Sequence, residues 1–350
     1  MNMLSVICES PGVLRVQHRD VPVRGRGEVL LRVRRVGICG TDLHIFTGNQ
    51  PYLEYPRVMG HELSAVVAEA DPDSGLQPGD AVYVMPYLSC GQCVACRQGK
   101  TNCCVNIRVL GVHCDGALAE YLSVPVRFVH KADGISLDQA AMLEFLAIGA
   151  HAVRRADVRP GQRTLVVGAG PIGMAAMIFA KLRGAVVTCL DTRADRLAFC
   201  RQHLGVDADV ELGPDAAAHL ASLTDGEYFD AVFDATGNLD AMNRGFEFVA
   251  HGGKYTLISI VRGQVAFSRS GVPQAGNDAA RESQCDGRGF RDGARRDARV
   301  AHSRSCAEHA PDAARGCAGP AAGAARRRAD RREGARRMLS VRRHRAGRTR

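Results

Sequence analysis

The sequence predicts an α/β chain in two folded parts followed by a tail. The parts are a β-rich domain over residues 1–150, a doubly wound parallel sheet over 151–267, and a disordered Arg/Ala/Gly-rich segment over 268–350. Three observations predict this division. Short β-type runs broken by Gly, Pro and Asp fill the first part, a strand–turn–helix rhythm replaces them after residue 150, and the composition changes abruptly near residue 268.

In the first part, Val29–Val33, Leu63–Val67, Ala81–Val84 and Tyr121–Val124 each read as a short strand, and their spacing suggests a small barrel or sandwich. Asp71–Asp80 (DPDSGLQPGD) is dense in turn formers and reads as a loop inside this domain. In the second part, Thr164–Val167 runs into GAGPIG, and Met174–Leu182 is apolar at helical spacing. Ala185–Leu190 reads as the next strand, and Tyr228–Asp234 and Tyr255–Ile260 as two more buried ones. Strands alternating with helices argue for a parallel sheet.

The tail has a different chemistry. From Ser268 onward the chain holds 21 Arg, no Lys and 9 acidic residues, a net +12. Residues 1–267 hold 25 basic and 28 acidic side chains, a net −3, so the +9 of the whole 350-residue chain sits in its last 83 residues. Only Val272, Phe290, Val300, Met338, Leu339 and Val341 are large and apolar there, too few to offset chain entropy. Arg, Ala and Gly supply 49 of the 83 residues, the mixture a GC-rich gene yields when read out of frame. A shifted frame, a disordered Arg-rich arm for RNA or another polyanion, and an unusual folded module all remain open, and the composition favours the first. A single aromatic, Phe290, and the lack of repeated Arg-Gly-Gly units weigh against the arm.

Hydrophobic residues make up 46 % and charged residues 24 %, an ordinary globular mixture. No apolar run approaches the roughly 18 residues of a membrane span, and MNMLSVICES lacks the layout of a signal peptide. A chain with 13 Cys and no secretory feature points to a reducing compartment, hence to a cytoplasmic protein whose cysteines bind metal.

Cys90, Cys93, Cys96 and Cys104 follow a C-x2-C-x2-C-x7-C pattern. Two-residue gaps let thiolates converge, and four complete a closed tetrahedral shell for a structural zinc, with plain loop cysteines or an iron–sulfur site as the alternatives. Cys103 beside them reads as a bystander. A second candidate metal set draws on distant segments: Cys39 in GICGTDLH, His61-Glu62 in MGHEL, and Glu144 in LEFLAIGAHAV. Taken singly, each has an ordinary structural reading; thiolate, imidazole and carboxylate together suit a catalytic zinc.

Gly168-Ala169-Gly170-Pro171-Ile172-Gly173 is G-x-G-x-x-G between an apolar strand and a helix. Gly168 allows the tight turn, Gly170 lets backbone approach a pyrophosphate, and Gly173 lets helix and strand pack closely. Asp191 ends the next strand, where a carboxylate binds ribose hydroxyls and repels a 2′-phosphate, favouring NAD over NADP. Arg193 and Arg196 nearby soften that preference.

These motifs, with DGALAEY (Asp115–Tyr121), resemble the zinc-dependent medium-chain alcohol dehydrogenase family, and most its polyol (sorbitol) and threonine dehydrogenase branch, over roughly residues 3–267. The resemblance implies a GroES-like catalytic domain followed by a Rossmann domain. It implies two zinc ions per chain. Cys39, His61 and Glu144 would hold the catalytic one, with Glu62 a near neighbour able to ligate directly or through water. Thr41 would be the proton-relay hydroxyl and His44 its onward acceptor, while Thr236 and Gly237 would lie along the cofactor. The implied reaction is reversible hydride transfer from a secondary alcohol of a polyol, sugar or sugar acid to NAD. Phe145 stands where the polyol branch usually has Pro, which would reshape the substrate pocket.

Relatives use their last third for further Rossmann strands, a subunit-contact strand and a returning catalytic segment. None is legible after Phe267, so a truncated Rossmann sheet, a homo-oligomer deprived of its usual contact, and a poorly soluble or inactive product are expected. The reading from another class is a non-catalytic zinc- and nucleotide-binding protein whose Arg-rich tail contacts nucleic acid.

Overall fold

The computed structural model describes residues 1–266 and the strand 278–281, all within one unit of the chain, Met1–Glu308. The remaining tail, and the readings made on it, lie outside the described residues.

The first part opens on a hairpin, β1 (Asn2–Ser10) and β2 (Val13–Asp20), which turns through Pro11 and Gly12. There follow β3 (Glu28–Gly37), β4 (Arg57–Val58), β5 (Glu62–Glu69), β6 (Ala81–Val84), β7 (Tyr87–Leu88), β8 (Arg108–Val109), β9 (Tyr121–Pro125) and β10 (Val129–Lys131). They form a five-stranded antiparallel sheet in the order β10-β6-β5-β3-β9, a small sheet β2-β1-β4 and the pair β7-β8. The four strands expected from sequence in this half all lie within this set. Leu31, Leu63, Val67, Val82, Val84, Val124 and Phe128 alternate inward to fill its core. The helices of this half are α1 (Gly40–Phe46), α2 (Val94–Arg97), α3 (Leu137–Ala141) and α4 (Leu143–Arg155). Ser136 caps α3 by accepting the Gln139 N–H, while the Gln139 side chain accepts from the Ser136 N–H.

The second part is a six-stranded parallel sheet: β11 (Arg163–Val167), β12 (Val186–Asp191), β13 (Ala208–Glu211), β14 (Phe229–Asp234), β15 (Val249–Leu257) and β16 (Asp278–Arg281). The spatial order β13-β12-β11-β14-β15-β16 reverses direction between β11 and β14, the switch point at which such sheets bind ligands. Its helices are α5 (Pro171–Leu182), α6 (Ala194–Phe199), α7 (Ala216–Ser222) and α8 (Leu239–Arg244). Leu165, Leu190, Leu220, Phe229, Val232 and Tyr255 build the core on one face.

Two expectations change here. β15 starts at Val249, six residues before the predicted strand. The sheet is also not truncated at residue 267, because β16 pairs in parallel with Lys254–Leu257 and fills a sixth position. Asp278-Ala279-Ala280-Arg281 carries no apolar alternation, so its place comes from backbone pairing with the β15 edge, which composition does not reveal.

Helix α4 joins the two parts, and the boundary drawn at residue 150 falls inside it. At its first turn stands Glu144, and Gly149 meets α5 so closely that a Cβ there would lie 2.5 Å from the Ala175 carbonyl carbon. Gly149→Val is therefore expected to destabilise the protein by about 2–3 kcal/mol through overpacking. Chemical denaturation checks this as a lower midpoint at constant slope. An unchanged midpoint would mean that α4 and α5 separate freely.

Candidate active site

Helix α1 begins at Cys39, whose backbone is extended (φ −86°, ψ 162°) as an N-cap requires. Asp42, at the third helical position, accepts the Cys39 N–H at 2.9 Å and also the Gly60 N–H at 3.3 Å. Its carboxylate stands 3.9 Å from His61 Nδ1. Asp42 thus ties the helix start to the segment entering β5, and brings Cys39 beside His61 and Glu62. Ligand atoms of Cys39, His61 and Glu62 all lie within 4.8 Å of one another. Glu62 faces Gly37 across the β3–β5 ladder, where a Cβ would sit 2.1 Å from Glu62 Oε2. The bare glycine gives the carboxylate room to fold toward the thiol.

Of the two carboxylates expected from sequence, Glu62 is in that mutually close set and Glu144 lies outside it. The Glu144 carboxylate instead accepts a hydrogen bond from the Tyr87 hydroxyl and faces His61 electrostatically. Thr41 is half-buried, and its hydroxyl and N–H both bond the Cys39 sulfur. His44 is exposed one turn farther along α1. Phe145 is half-buried next to Glu144. Asp42 and Tyr87 were missed from sequence. The C-x-x-D spacing at Cys39 and Asp42 is that of a capping box and could have revealed the former.

The electrostatics of this cluster call for a cation. Asp42, His61, Glu62 and Glu144 are 2 %, 4 %, 7 % and 4 % exposed. Burial, with Glu144 and Asp42 adding to it, pushes the Cys39 thiol up to about 12. Burial and the charges of Cys39 and Glu144 push the Glu62 carboxyl well above its usual range, with His61 opposing. For His61, burial lowers the pKa, but Asp42, Glu144 and Glu62 outweigh it and raise the value. Its Nδ1 is buried without a hydrogen-bond partner. A buried thiol, imidazole and carboxylates that cannot all ionise together, beside an unsatisfied ring nitrogen, fit a divalent metal of zinc type.

Cys90, Cys93, Cys96 and Cys104 form a second set with sulfurs within 4.8 Å. Cys93 caps α2, and N–H groups of Cys96 and Val105 directed at its sulfur lower its pKa to about 6, favouring thiolate. The Cys90 N–H donates to Cys104 Sγ at 3.3 Å. Cys103 is exposed and outside the set. The four sulfurs suit a closed tetrahedral zinc shell.

The glycine turn stands at the C-terminal ends of β11 and β14. Gly168 has φ +97°, and a Cβ on it would press within 3.1–3.2 Å of the Ala235 and Thr236 backbone. A Cβ on Gly173 would lie 1.8 Å from the Gly168 carbonyl oxygen. Gly170 has nothing within 4 Å of its Cβ position and caps α5 without a side-chain bond. Pro171 and Ile172 form the first turn of α5, whose unpaired N–H groups face that open space, the arrangement that binds phosphate. Asp191 accepts the Ala169 N–H at 2.6 Å and the Arg193 N–H at 2.9 Å, one on each oxygen. Arg196 stands 3.9 Å from the same carboxylate. On the far side of the turn, the Thr236 hydroxyl donates to Asp234 at 2.8 Å, and Gly237 turns the chain at φ +63°.

The alcohol dehydrogenase GroES-like domain family matches residues 25–134, and the zinc-binding dehydrogenase family matches residues 171–276. The chain is 44 % identical over 273 residues to L-galactonate-5-dehydrogenase of Escherichia coli K12, covering 77 % of this chain and 78 % of that protein. Its fold is similar to that of an alcohol dehydrogenase from E. coli CFT073 complexed with NADH, with TM-score 0.77, 27 % identity and 84 % and 87 % of the chains covered. It is likewise similar to a zinc-binding dehydrogenase from Sinorhizobium meliloti 1021 bound to NADP, with TM-score 0.79, 26 % identity and 91 % and 97 % covered. With a β-rich domain carrying the two metal-type clusters, a doubly wound sheet carrying the glycine turn, and these relatives, the chain belongs to the zinc-dependent medium-chain alcohol dehydrogenase family.

Proposed function

We propose that this enzyme oxidises a secondary hydroxyl of a sugar acid with NAD. The observation that carries the substrate class is the 44 % identity to a galactonate dehydrogenase along most of both chains. Cys39, His61 and Glu62 would hold the catalytic zinc, with Glu144 the carboxylate able to exchange with Glu62. Cys90, Cys93, Cys96 and Cys104 would hold a second, structural ion. When bound, zinc supplies Lewis acidity toward the substrate hydroxyl, and the nicotinamide ring supplies the hydride acceptor.

The chain's own residues do the rest. Thr41 Oγ1 takes up the substrate's hydroxyl proton as it gives its own to the exposed His44 imidazole, which releases a proton to solvent. Asp42 keeps Cys39 and His61 in register with each other. Asp191 retains lone pairs for the ribose hydroxyls. Arg193 is clasped by Asp195, and Arg196 faces Asp191, so both nearby cations are already drawn to carboxylates, which supports NAD. In this reading the enzyme is cytoplasmic.

The test is turnover by the full-length chain on galactonates, sorbitol and threonine with either nucleotide. A galactonate with NAD should give the highest kcat/KM, by about tenfold or more. A preference for sorbitol or threonine would overturn the substrate class, and a preference for NADP the cofactor. An inert chain that binds RNA, and loses this binding on deletion of residues 268–350, would instead support the non-catalytic reading.

A further inference from the structure

The segment after β15 returns toward the first part of the chain. It is held on the nucleotide-binding side through α8. The Cβ position of Gly263 lies 2.9 Å from the Leu239 side chain, and the Ala266 N–H donates to Asn243 Oδ1 at 2.8 Å. Helix α8 itself starts directly after the Thr236-Gly237 turn. From this base Arg262 reaches across and donates from Nη2 to the Gly48 carbonyl at 3.2 Å. Gly48 follows the C-terminal end of α1, the helix whose other end carries Cys39 and Thr41.

The side chain of Arg262 is exposed, and among the described residues it makes no ion pair. Several arginines that tie distant segments do so through carboxylates, Arg24 to Asp71, Arg57 to Asp115 and Arg163 to Asp225, while Arg127 holds the Ser89 carbonyl. Arg262 holds one neutral carbonyl with one nitrogen. A guanidinium with five donors, placed between the nucleotide-binding and metal-binding parts and matched by no carboxylate among the described residues, is an anion receptor in waiting.

We infer that Arg262 recognises the carboxylate of the substrate and so determines specificity for hydroxy acids over neutral polyols. This inference rests on the sugar-acid reading above. Lengths agree with it. From Cys39 to the Thr47 cap of α1 the chain advances by about 12 Å at the helical rise, and Gly48 follows directly. In an extended six-carbon acid, the C5 oxygen and a carboxylate oxygen are about 6–7 Å apart. Contacts of about 3 Å at each end extend this to roughly 12–13 Å. A substrate reacting at C5, the position in the relative's name, thus spans from the metal cluster to Arg262. The carboxylate offers two oxygens to the guanidinium fork, whereas a terminal CH2OH offers one neutral oxygen.

The experiment compares wild type, R262Q and R262K as full-length zinc-loaded enzymes. Turnover is measured on L-galactonate and on galactitol, a neutral chain of equal length, and calorimetry measures L-galactonate binding in the presence of NADH. R262Q should raise KM and Kd for L-galactonate by about 30- to 100-fold. R262K should recover part of the loss, while galactitol kinetics, NADH affinity and melting temperature stay within about threefold or unchanged. Equal losses on acid and neutral substrates would overturn the inference, because Arg262 would then merely brace α1. If wild type and R262Q oxidise L-galactonate alike, Arg262 loses this role and the sugar-acid reading stands. A wild type that oxidises galactitol but neither binds nor oxidises L-galactonate removes both.

Discussion

His61→Ala is expected to lower kcat/KM for the preferred alcohol by about 10³-fold or more and to remove one zinc per chain. The imidazole is 4 % exposed and shares a buried site with Cys39 and Glu62. Removing it leaves only Cys39 and Glu62 of the mutually close set, too few donors to keep a zinc-type ion. Cys39→Ser should behave in the same way. Cys93→Ser should remove the other ion, lowering the melting temperature more than kcat, since that set lies in a lobe with no open coordination position. Asp42→Asn should cost about 10- to 100-fold, the usual cost of disturbing groups that orient ligands. Metal analysis and steady-state kinetics on the same preparations check the series. A His61→Ala enzyme within tenfold of wild type would remove this cluster from the chemistry.

Features written in adjacent residues were legible in the sequence. The four cysteines are within 15 positions and come together as their spacing implies. The glycine turn, its preceding strand and Asp191 occupy their expected places because a parallel βαβ unit is local. What depends on contacts distant in sequence was not legible. Glu62 has room beside Cys39 because Gly37, its partner across the ladder 25 residues earlier, carries no side chain. Tyr87 reaches Glu144 only because β7 passes beneath the start of α4, 57 residues away in sequence. Strand β16 left no sequence pattern at all, since an edge strand needs only a free backbone ladder. Nothing in the sequence marks Arg262, because its bond to the Gly48 carbonyl joins residues 214 positions apart.

Gly173→Val and Gly170→Ala separate the two tasks of the glycine turn, and the former should abolish NAD binding. A Cβ on Gly173 would lie 1.8 Å from the Gly168 carbonyl oxygen and 3.0 Å from its carbonyl carbon, so α5 must move off β11. Backbone has no rotamer by which to yield, so a loss of about 3 kcal/mol or more in stability is expected along with the loss of the cofactor site. Gly170 differs: at φ −80° and ψ 178° its backbone suits any residue, and among the described residues nothing beyond its chain neighbours lies within 4 Å of its Cβ position. Gly170→Ala should therefore keep its stability within about 0.5 kcal/mol. Its methyl would occupy the space over the first N–H groups of α5, where the pyrophosphate approaches, and should raise the Kd for NAD by about tenfold. Denaturation midpoints and NADH fluorescence titration read the two effects separately. Unaltered NAD affinity in Gly170→Ala would move the pyrophosphate away from this helix end, and normal stability in Gly173→Val would mean that α5 does not rest on the turn.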